Sequence, residues 1–299
     1  MQDSLLVEIR TEELPPKSLS RLMQAFRQGL FDGLKDQHFL APEAQATSYA
    51  TPRRLAVLIS QVLDKQADRV VERKGPAVAS ALDADGKPSP ALLGFAKSCG
   101  VEVSKLERQA GEKGEYFVYR AKQKGETLKN HLAAIVDAAL KKLPVAKTMR
   151  WGAGDAQFVR PVHSVILLHG KRVVPGVVLG LKSGNKTLGH RFLSKGALTI
   201  RSAPEYEKIL KQGKVLASFD TRRAAIVKGL DSAANKAGAR WDIGKGAELI
   251  DEVTSLVEFP VVLAGGFDPA FLEVPKECLI ISMQQHQKYF PLADKEGKL

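Results

Sequence analysis

The order of hydrophobic patterns along this chain limits the fold to one class. An apolar run at 5–9 predicts a strand, and apolar residues spaced three and four apart over 19–34 predict an amphipathic helix behind two prolines. Further strands are predicted at 55–59, 116–119, 162–168, 173–181, 187–192 and 260–264. Further helices are predicted at 128–143, 206–211, 221–237 and 247–256, and a last helix begins near Pro275. Because no strict βαβ repeat appears, the chain is predicted to be α+β, with mixed sheets and helices.

Changes of pattern divide the chain into three segments. The stretch 81–89, rich in Asp, Gly and Pro, predicts a loop, and Ser183, Gly184 and Asn185 predict a hairpin turn. We expect an N-terminal α/β segment at 1–74, a smaller inserted subdomain at 75–146 and an α+β region at 147–299. The chain stops in a turn-like sequence, so we expect the last region to be truncated and the chain to be part of a longer polypeptide.

Charge is concentrated in the middle of the chain. The whole sequence has 45 basic and 33 acidic residues, whereas 51–250 has 36 and 18, and 151–200 has seven basic residues against the single acid Asp155. Such an excess suits an anionic partner, although solvated hairpin lysines would also explain part of it. The apolar runs are shorter than the roughly 18 residues of a membrane span and no leader sequence is visible, so we expect a cytoplasmic protein without a membrane contact.

Paired arginines begin a predicted helix. Asp220 is expected to cap that helix, which places Arg222 and Arg223 in its first turn. Cations are unfavourable at the positive end of a helix dipole unless an anion compensates them, so we predict a phosphate contact for this pair. The alternative is that an acidic side chain neutralises them.

A second arginine pair follows a proline. Pro52 stiffens the loop before the strand at 55–59, and alternation along a strand sends Arg53 and Arg54 to opposite faces. We therefore expect one of them to be a structural salt-bridge partner and the other to contact a ligand.

Basic and aromatic residues are densest between positions 150 and 192. Arg150, Arg160, His190 and Arg191 are candidate anion-binding residues, since arginine and histidine pair with phosphates. The neighbouring aromatic residues are expected to be buried anchors rather than stacking platforms: Trp151, Phe158 and Phe192.

No motif of catalysis or metal binding is visible. The sequence contains no phosphate-binding loop, dinucleotide fingerprint, zinc-protease motif or nucleophile elbow. Glu8, Glu12 and Glu13 are more typical of a strand end than of acid–base chemistry, and the two distant cysteines exclude a disulfide framework and a cysteine-built zinc site. We predict no catalytic residue and no metal site here.

Six motifs carry a family resemblance. They occur in order at 6–16, 50–56, 149–151, 158–163, 189–192 and 284–290, and together they resemble the amino-terminal part of the bacterial glycyl-tRNA synthetase β subunit. The resemblance extends over nearly the whole chain. Part of the region also resembles the B3/B4 module of the phenylalanyl-tRNA synthetase β subunit, so a B3/B4-like module with an inserted smaller subdomain is expected.

The resemblance implies a role in glycine–tRNA ligase. In that family an α subunit carries the class II site for glycine, ATP and Mg²⁺, while β is required for charging and engages tRNA(Gly), in an α2β2 assembly. Accordingly this chain is expected to be non-catalytic and to hold no cofactor, with an HD-like and an anticodon-binding domain beyond its end. Two alternatives are an editing hydrolase of mischarged tRNA, for which glycine creates little need because larger side chains are excluded sterically, and a scaffold for the α subunit.

Overall fold

The computed structural model describes residues 2–83, 86–111 and 114–299, and its contacts divide them into two compact units. One unit combines the two ends of the chain, up to residue 64 and from residue 128 onward, and the other covers 65–127. The expected boundaries of 1–74, 75–146 and 147–299 differ from this division, because the helix after residue 128 packs in the larger unit. Residues 84 and 85 of the expected 81–89 loop lie outside the described residues.

The helices of the described residues follow the predicted apolar spacing closely. In chain order they are α1 (Leu19–Asp36), α2 (Val78–Ala81), α3 (Pro90–Cys99), α4 (Leu128–Lys141), α5 (Tyr206–Gln212), α6 (Phe219–Lys236), α7 (Gly246–Thr254) and α8 (Lys276–Ile281).

The strands of the same residues range from two to ten residues in length. They are β1 (Gln2–Thr11), β2 (Ala46–Thr51), β3 (Arg54–Leu63), β4 (Arg69–Ala77), β5 (Glu107–Gly111), β6 (Gly114–Gln123), β7 (Met149–Arg150), β8 (Gln157–Phe158), β9 (Val162–His169), β10 (Arg172–Val173), β11 (Val177–Val178), β12 (Leu181–Gly184), β13 (Lys186–Leu188) and β14 (Ala197–Thr199).

A seven-stranded sheet forms the centre of the larger unit. Its strand order is β11-β12-β9-β1-β3-β2, with β10 pairing β9 at the side. Pairing is antiparallel except between β12 and β9, which run parallel. Together with the helices this confirms the predicted α+β class, while the likeness to a B3/B4 module stays a prediction.

The central strand β1 is buried on both faces. Leu5, Val7 and Ile9 pack into one apolar cluster with α1 and α4, whereas Leu6 packs into a second cluster on the opposite face. The second cluster includes Tyr206 and other residues of α5. A strand enclosed in this way has no solvent-exposed position in its middle, so any polar residue there needs a buried partner.

Glycines let α1 and α4 approach closely. A Cβ atom on Gly29 would lie 3.1 Å from the Ala139 side chain, and one on Gly33 would lie 2.7 Å from Cγ2 of Ile135. The two glycines are four residues apart and therefore share one face of α1. Their missing side chains leave room for α4.

The smaller unit has a separate core. Strands β4, β6 and β5 form a three-stranded antiparallel sheet. Leu92 and Ala96 of α3 pack with Phe117 of β6. The predicted strand at 116–119 is confirmed here.

Four predictions between residues 173 and 264 are wrong. The strand predicted at 187–192 ends at Leu188, and a loop follows. The segment 173–181 contains only short strands, and the expected hairpin through Ser183 to Asn185 does not form because β12 pairs with β11 and β9 while β13 pairs with β14. The segment 260–264 is not a strand. Alternating apolar residues predict extended backbone, but only the neighbouring strands decide which extended segments pair.

Candidate functional site

Arg54, the first residue of β3, is buried between two carboxylates. Its Nη1 lies 3.4 Å from Glu8 Oε2, and its Nη2 lies 3.4 Å from Glu258 Oε1. Nε donates to Thr51 Oγ1 at 3.2 Å, and Nη2 donates to the Leu188 carbonyl oxygen at 3.0 Å. Burial tends to lower the pKa of Arg54, but the two carboxylates outweigh burial and raise it. Arg54 is therefore the structural salt-bridge partner that was expected in the pair Arg53–Arg54, and its burial leaves it no surface on which to contact a ligand.

Glu8 has a second donor in the hydroxyl group of Tyr206. Tyr206 begins α5, and its hydroxyl donates to Glu8 Oε2 at 2.6 Å. Burial and then the Glu8 charge raise the pKa of Tyr206 well above its usual value, so the hydroxyl keeps its proton. Thr51 completes the network by donating to Glu258 Oε1 at 2.7 Å. We call Glu8, Thr51, Arg54, Tyr206 and Glu258 the Arg54 cluster.

Arg222 is also buried, although it lies in the first turn of α6. Its guanidinium donates to backbone carbonyl oxygens at Ala50 (2.7 Å), Leu216 (2.6 Å), Thr254 (3.1 Å), Ala217 (3.3 Å) and Ser218 (3.4 Å). Thr254 ends α7, so the guanidinium meets the negative end of that helix dipole. Burial lowers the pKa of Arg222 to about 10. The expectation that Arg222 contacts phosphate is wrong, because carbonyl oxygens of its own chain already compensate the cation.

Arg223, in contrast, is exposed and paired with an acid. Its Nε lies 2.7 Å from Asp251 Oδ1 on α7. The helix cap also differs from the prediction, since Ser218 and not Asp220 accepts a hydrogen bond from the Thr221 amide. A contact between Arg223 and tRNA stays a prediction.

A second group of charges lies at the surface around Glu12. His163 Nε2 lies 2.8 Å and Arg53 Nη2 lies 3.4 Å from Glu12 Oε1. The pKa of Glu12 is lowered, first by the hydrogen bond with His163 and then by the charges of Arg53, His163 and Arg191, while burial opposes this. Glu12 and His163 are each more than one-third exposed. These side chains therefore face solvent while the Arg54 cluster does not.

Arg10 adds a further cation to this surface. Its Nε donates to Ser164 Oγ at 3.2 Å. Burial and then repulsion by Arg53 lower its pKa. We call Arg10, Glu12, Arg53, His163 and Arg191 the Glu12 surface.

Arg160 is exposed and lies at the edge of the Glu12 surface. Its Nε donates to the carbonyl oxygen of Glu13, the residue that follows Glu12. Four of the six motifs, 6–16, 50–56, 158–163 and 189–192, thus contribute residues to this one part of the fold. The other two, 149–151 and 284–290, lie on different elements.

His190 organises the loop that carries Arg191. The loop joins β13 to β14, and the His190 Nδ1 atom accepts hydrogen bonds from the amides of Phe192 and Leu193, both at 3.2 Å. The imidazole shapes the loop, and its contact with tRNA stays a prediction.

The remaining candidates are dispersed. Arg150 lies on the β7–β8 ribbon, exposed and 3.9 Å from Asp155. Phe158 is buried as predicted and Trp151 is partly buried, but Phe192 is 84% exposed, so the expectation that it is a core anchor is wrong. A tRNA contact of Arg150, like those of Arg53, Arg160 and Arg191, stays a prediction.

Sequence reasoning missed the buried partners of the arginines. Glu8 stands between Val7 and Ile9 in an apolar strand, a signal for a buried ionic partner. Arg222 lies four residues before Ile226 on the buried stripe of α6, which was a similar signal. Nothing local marks Tyr206 or Glu258 as partners of Glu8 and Arg54, because they are about 150 to 250 residues away in the sequence.

Neither a metal site nor a membrane span is found in the part of the chain that the structure describes. No three His, Cys, Asp or Glu side chains among those residues are grouped as metal ligands. Helices within the same residues are all too short or too polar to cross a bilayer.

Comparison with known proteins agrees with the motifs that this geometry brings together. The family model for the glycyl-tRNA synthetase beta subunit matches residues 5–299. A glycine–tRNA ligase beta subunit of Neisseria meningitidis serogroup A / serotype 4A is 49% identical over 300 residues, covering 100% of this chain and 43% of the relative. The corresponding protein of Serratia proteamaculans is 45% identical over 299 residues, with the same coverage of both chains.

The chain therefore belongs to an aminoacyl-tRNA synthetase subunit family. That family is the glycyl-tRNA synthetase beta subunit family. The chain spans 43% of the length of these relatives.

Proposed function

We propose that this chain is a non-catalytic, tRNA-engaging region of a glycine–tRNA ligase β subunit. It acts with an α subunit that holds glycine, ATP and Mg²⁺, and the pair attaches glycine to tRNA(Gly) for protein synthesis in the cytoplasm. Family membership supports the reaction and the partner, because both relatives bear the name of a ligase subunit. The α2β2 stoichiometry is part of the same proposal.

The Glu12 surface is the observation that carries tRNA engagement. The guanidinium groups of Arg10 and Arg53 lie close enough to repel each other. Those of Arg53 and Arg191 lie close enough to Glu12 to lower the pKa of its carboxyl group. Arg191 is exposed, whereas Arg10 and Arg53 are partly buried. A positive excess that reaches the surface attracts phosphates, and arginine binds phosphate through two parallel hydrogen bonds. The surrounding segment 151–200 adds seven basic residues against one acid.

The binding experiment uses the complete β subunit assembled with its α partner. Arg53→Ala and Arg191→Ala should each weaken binding of a tRNA(Gly) transcript, about equally for other tRNA sequences. Each lost phosphate contact should also flatten the slope of log K against log salt by about 0.9. Arg120→Ala is the matched control, because Arg120 is exposed, is not a candidate for tRNA contact and is already compensated by Glu72 and Glu107. Unchanged affinity and slope in both surface variants would count against tRNA engagement here.

Two further measurements separate the alternatives. The complete β subunit without α should show no glycine-dependent ATP–pyrophosphate exchange, and exchange above background would contradict a non-catalytic role. Deacylation of mischarged tRNA by β alone would favour the editing hydrolase. Loss of α binding in the surface variants, with tRNA affinity retained, would favour the scaffold.

A further inference from the structure

The loop at 189–196 presents an aromatic ring to solvent. Phe192 is 84% exposed, whereas Phe26 and Phe39 are completely buried. Leu193 beside it is 54% exposed. A single exposed apolar side chain is ordinary, but here two adjacent ones lie beside a guanidinium group and form a face that a ligand could cover.

Hydrogen bonds and a close backbone contact hold the conformation of this loop. His190 Nδ1 accepts from the Phe192 and Leu193 amides, and the Ser194 amide donates to the His190 carbonyl oxygen at 3.1 Å. At the base of the loop, a Cβ atom on Gly189 would lie 2.4 Å from the carbonyl oxygen of Gly213. The hydrogen bonds and the close backbone approach fix the backbone of the turn. The loop that carries Phe192 therefore does not need to become ordered when a ligand binds.

The Arg54 cluster anchors the strand that leads into the loop. Arg54 Nη2 donates to the carbonyl oxygen of Leu188, the last residue of β13. Because Arg54 is held by Glu8 and Glu258, the base of the loop is attached to the centre of the fold. The buried charges of the Arg54 cluster therefore hold the base of the loop that exposes the Phe192 ring.

One cation lies beside the ring, and a second is exposed in the same loop. The guanidinium carbon of Arg191 lies 6.0 Å from the Phe192 ring centroid, and Lys195 is exposed in the same loop. Arg191 also lies near enough to Glu12 to lower the pKa of that carboxyl group. An aromatic face with a guanidinium group beside it suits a base stacked on the ring, with its phosphate beside that cation.

We propose that Phe192 is a stacking platform for an unpaired base of the bound tRNA and that Arg191 contacts the adjoining phosphate. This inference rests on the proposed function, since it names the part of tRNA that the surface takes. Bases inside a duplex are already stacked on their neighbours, so a single exposed ring selects unpaired nucleotides. A purely apolar protein contact would not need the guanidinium group beside the ring.

The test compares variants of the complete β subunit assembled with its α partner. Phe192→Ala should weaken binding of a tRNA(Gly) transcript on the order of 5- to 150-fold, the loss typical of one stacked base. Phe192→Trp should retain binding, and the fluorescence of the added indole should be quenched by tRNA. Phe271→Ala, which removes another exposed ring (56%), is the matched control and should bind as the unchanged protein does. A blunt RNA duplex without unpaired nucleotides should not distinguish Phe192→Ala from the unchanged protein.

The outcomes separate this inference from the proposed function. If the unchanged assembly does not bind the transcript, the proposed function fails. If it binds but Phe192→Ala binds equally well, only the stacking platform is overturned. Loss of α from the Phe192→Ala assembly, with tRNA affinity of β retained, would make the ring a protein contact and would also overturn the proposal.

Discussion

Arg54 and Glu8 form an ion pair across neighbouring strands, with Nη1 3.4 Å from Oε2 and neither side chain reaching solvent by more than 2%. Burying two charges costs several kcal/mol per ion, roughly, and the cost is offset only when the remaining donors and acceptors are paired. Thr51, Tyr206 and Glu258 supply partners for Arg54 and for Oε2 of Glu8, while Oε1 of Glu8 has no hydrogen-bond partner. The pair therefore fixes β1 and β3 against α5 and the segment after α7.

Removing the Glu8 charge should destabilise the larger unit strongly. Glu8→Gln leaves Arg54 buried with one carboxylate fewer and weakens the acceptor of Tyr206, so we expect a loss of about 3–5 kcal/mol in the free energy of unfolding. Urea unfolding followed by circular dichroism measures it. Glu12→Gln, at the residue directly after β1, is the matched control. Because Glu12 is more than one-third exposed, this substitution should cost about 0.2–1 kcal/mol. Equal losses in the two variants would contradict a buried, coupled cluster.

The adjacent arginines of α6 should differ in the same assay. Arg222→Met removes donors from five carbonyl oxygens, including that of Thr254 at the end of α7, and should cost about 3–5 kcal/mol. Arg223→Met loses only the exposed pair with Asp251 and should cost about 1 kcal/mol or less. Similar losses in the free energy of unfolding would show that Arg222 is not the structural residue of this pair.

The pKa of Glu12 should depend chiefly on His163. In the folded chain this pKa lies below 4.5, so the unfolded chain binds more protons and the contribution to stability is complete above pH 4.5 and is lost as the pH falls through the folded value. Carbon-13 NMR of the Glu12 carboxyl group should show the pKa rising toward 4.5 in His163→Ala. Arg191→Ala should raise it less, because Arg191 has the smallest of the named effects. The reverse order would place Arg191 and not His163 as the main partner of Glu12.

Two helix glycines should respond in opposite ways to alanine. Gly33→Ala places a methyl group 2.7 Å from Ile135 Cγ2, so overpacking of about 1–3 kcal/mol should outweigh the gain in helix propensity. Gly94→Ala in α3 meets nothing within 4 Å and should stabilise that helix by about 0.5–1 kcal/mol. Amide hydrogen exchange in α1 and in α3 measures each effect in its own unit. Stabilisation by Gly33→Ala would show that α1 and α4 do not pack so closely.

The sequence by itself determined the mixture of elements and most of their positions. Apolar spacing located α1, α4, α5, α6 and α7, because a buried helical stripe must recur every three or four residues regardless of its partner. The apolar runs located β1, β3 and β9 in the same way. Motif order alone was also sufficient to indicate the family to which the chain belongs.

Only the tertiary structure decided which charged residues are inside. Arg53 and Arg54 are adjacent, as are Arg222 and Arg223, yet one of each pair is buried. Local sequence does not contain that choice, because the energy of burying a guanidinium depends on acceptors brought from far along the chain: Glu8 and Glu258 for Arg54, and the carbonyl oxygens of Ala50 and Thr254 for Arg222. Phe192 is the opposite case. The sequence pattern predicts that its ring lies in the core, but a hydrogen-bonded loop holds the ring at the surface.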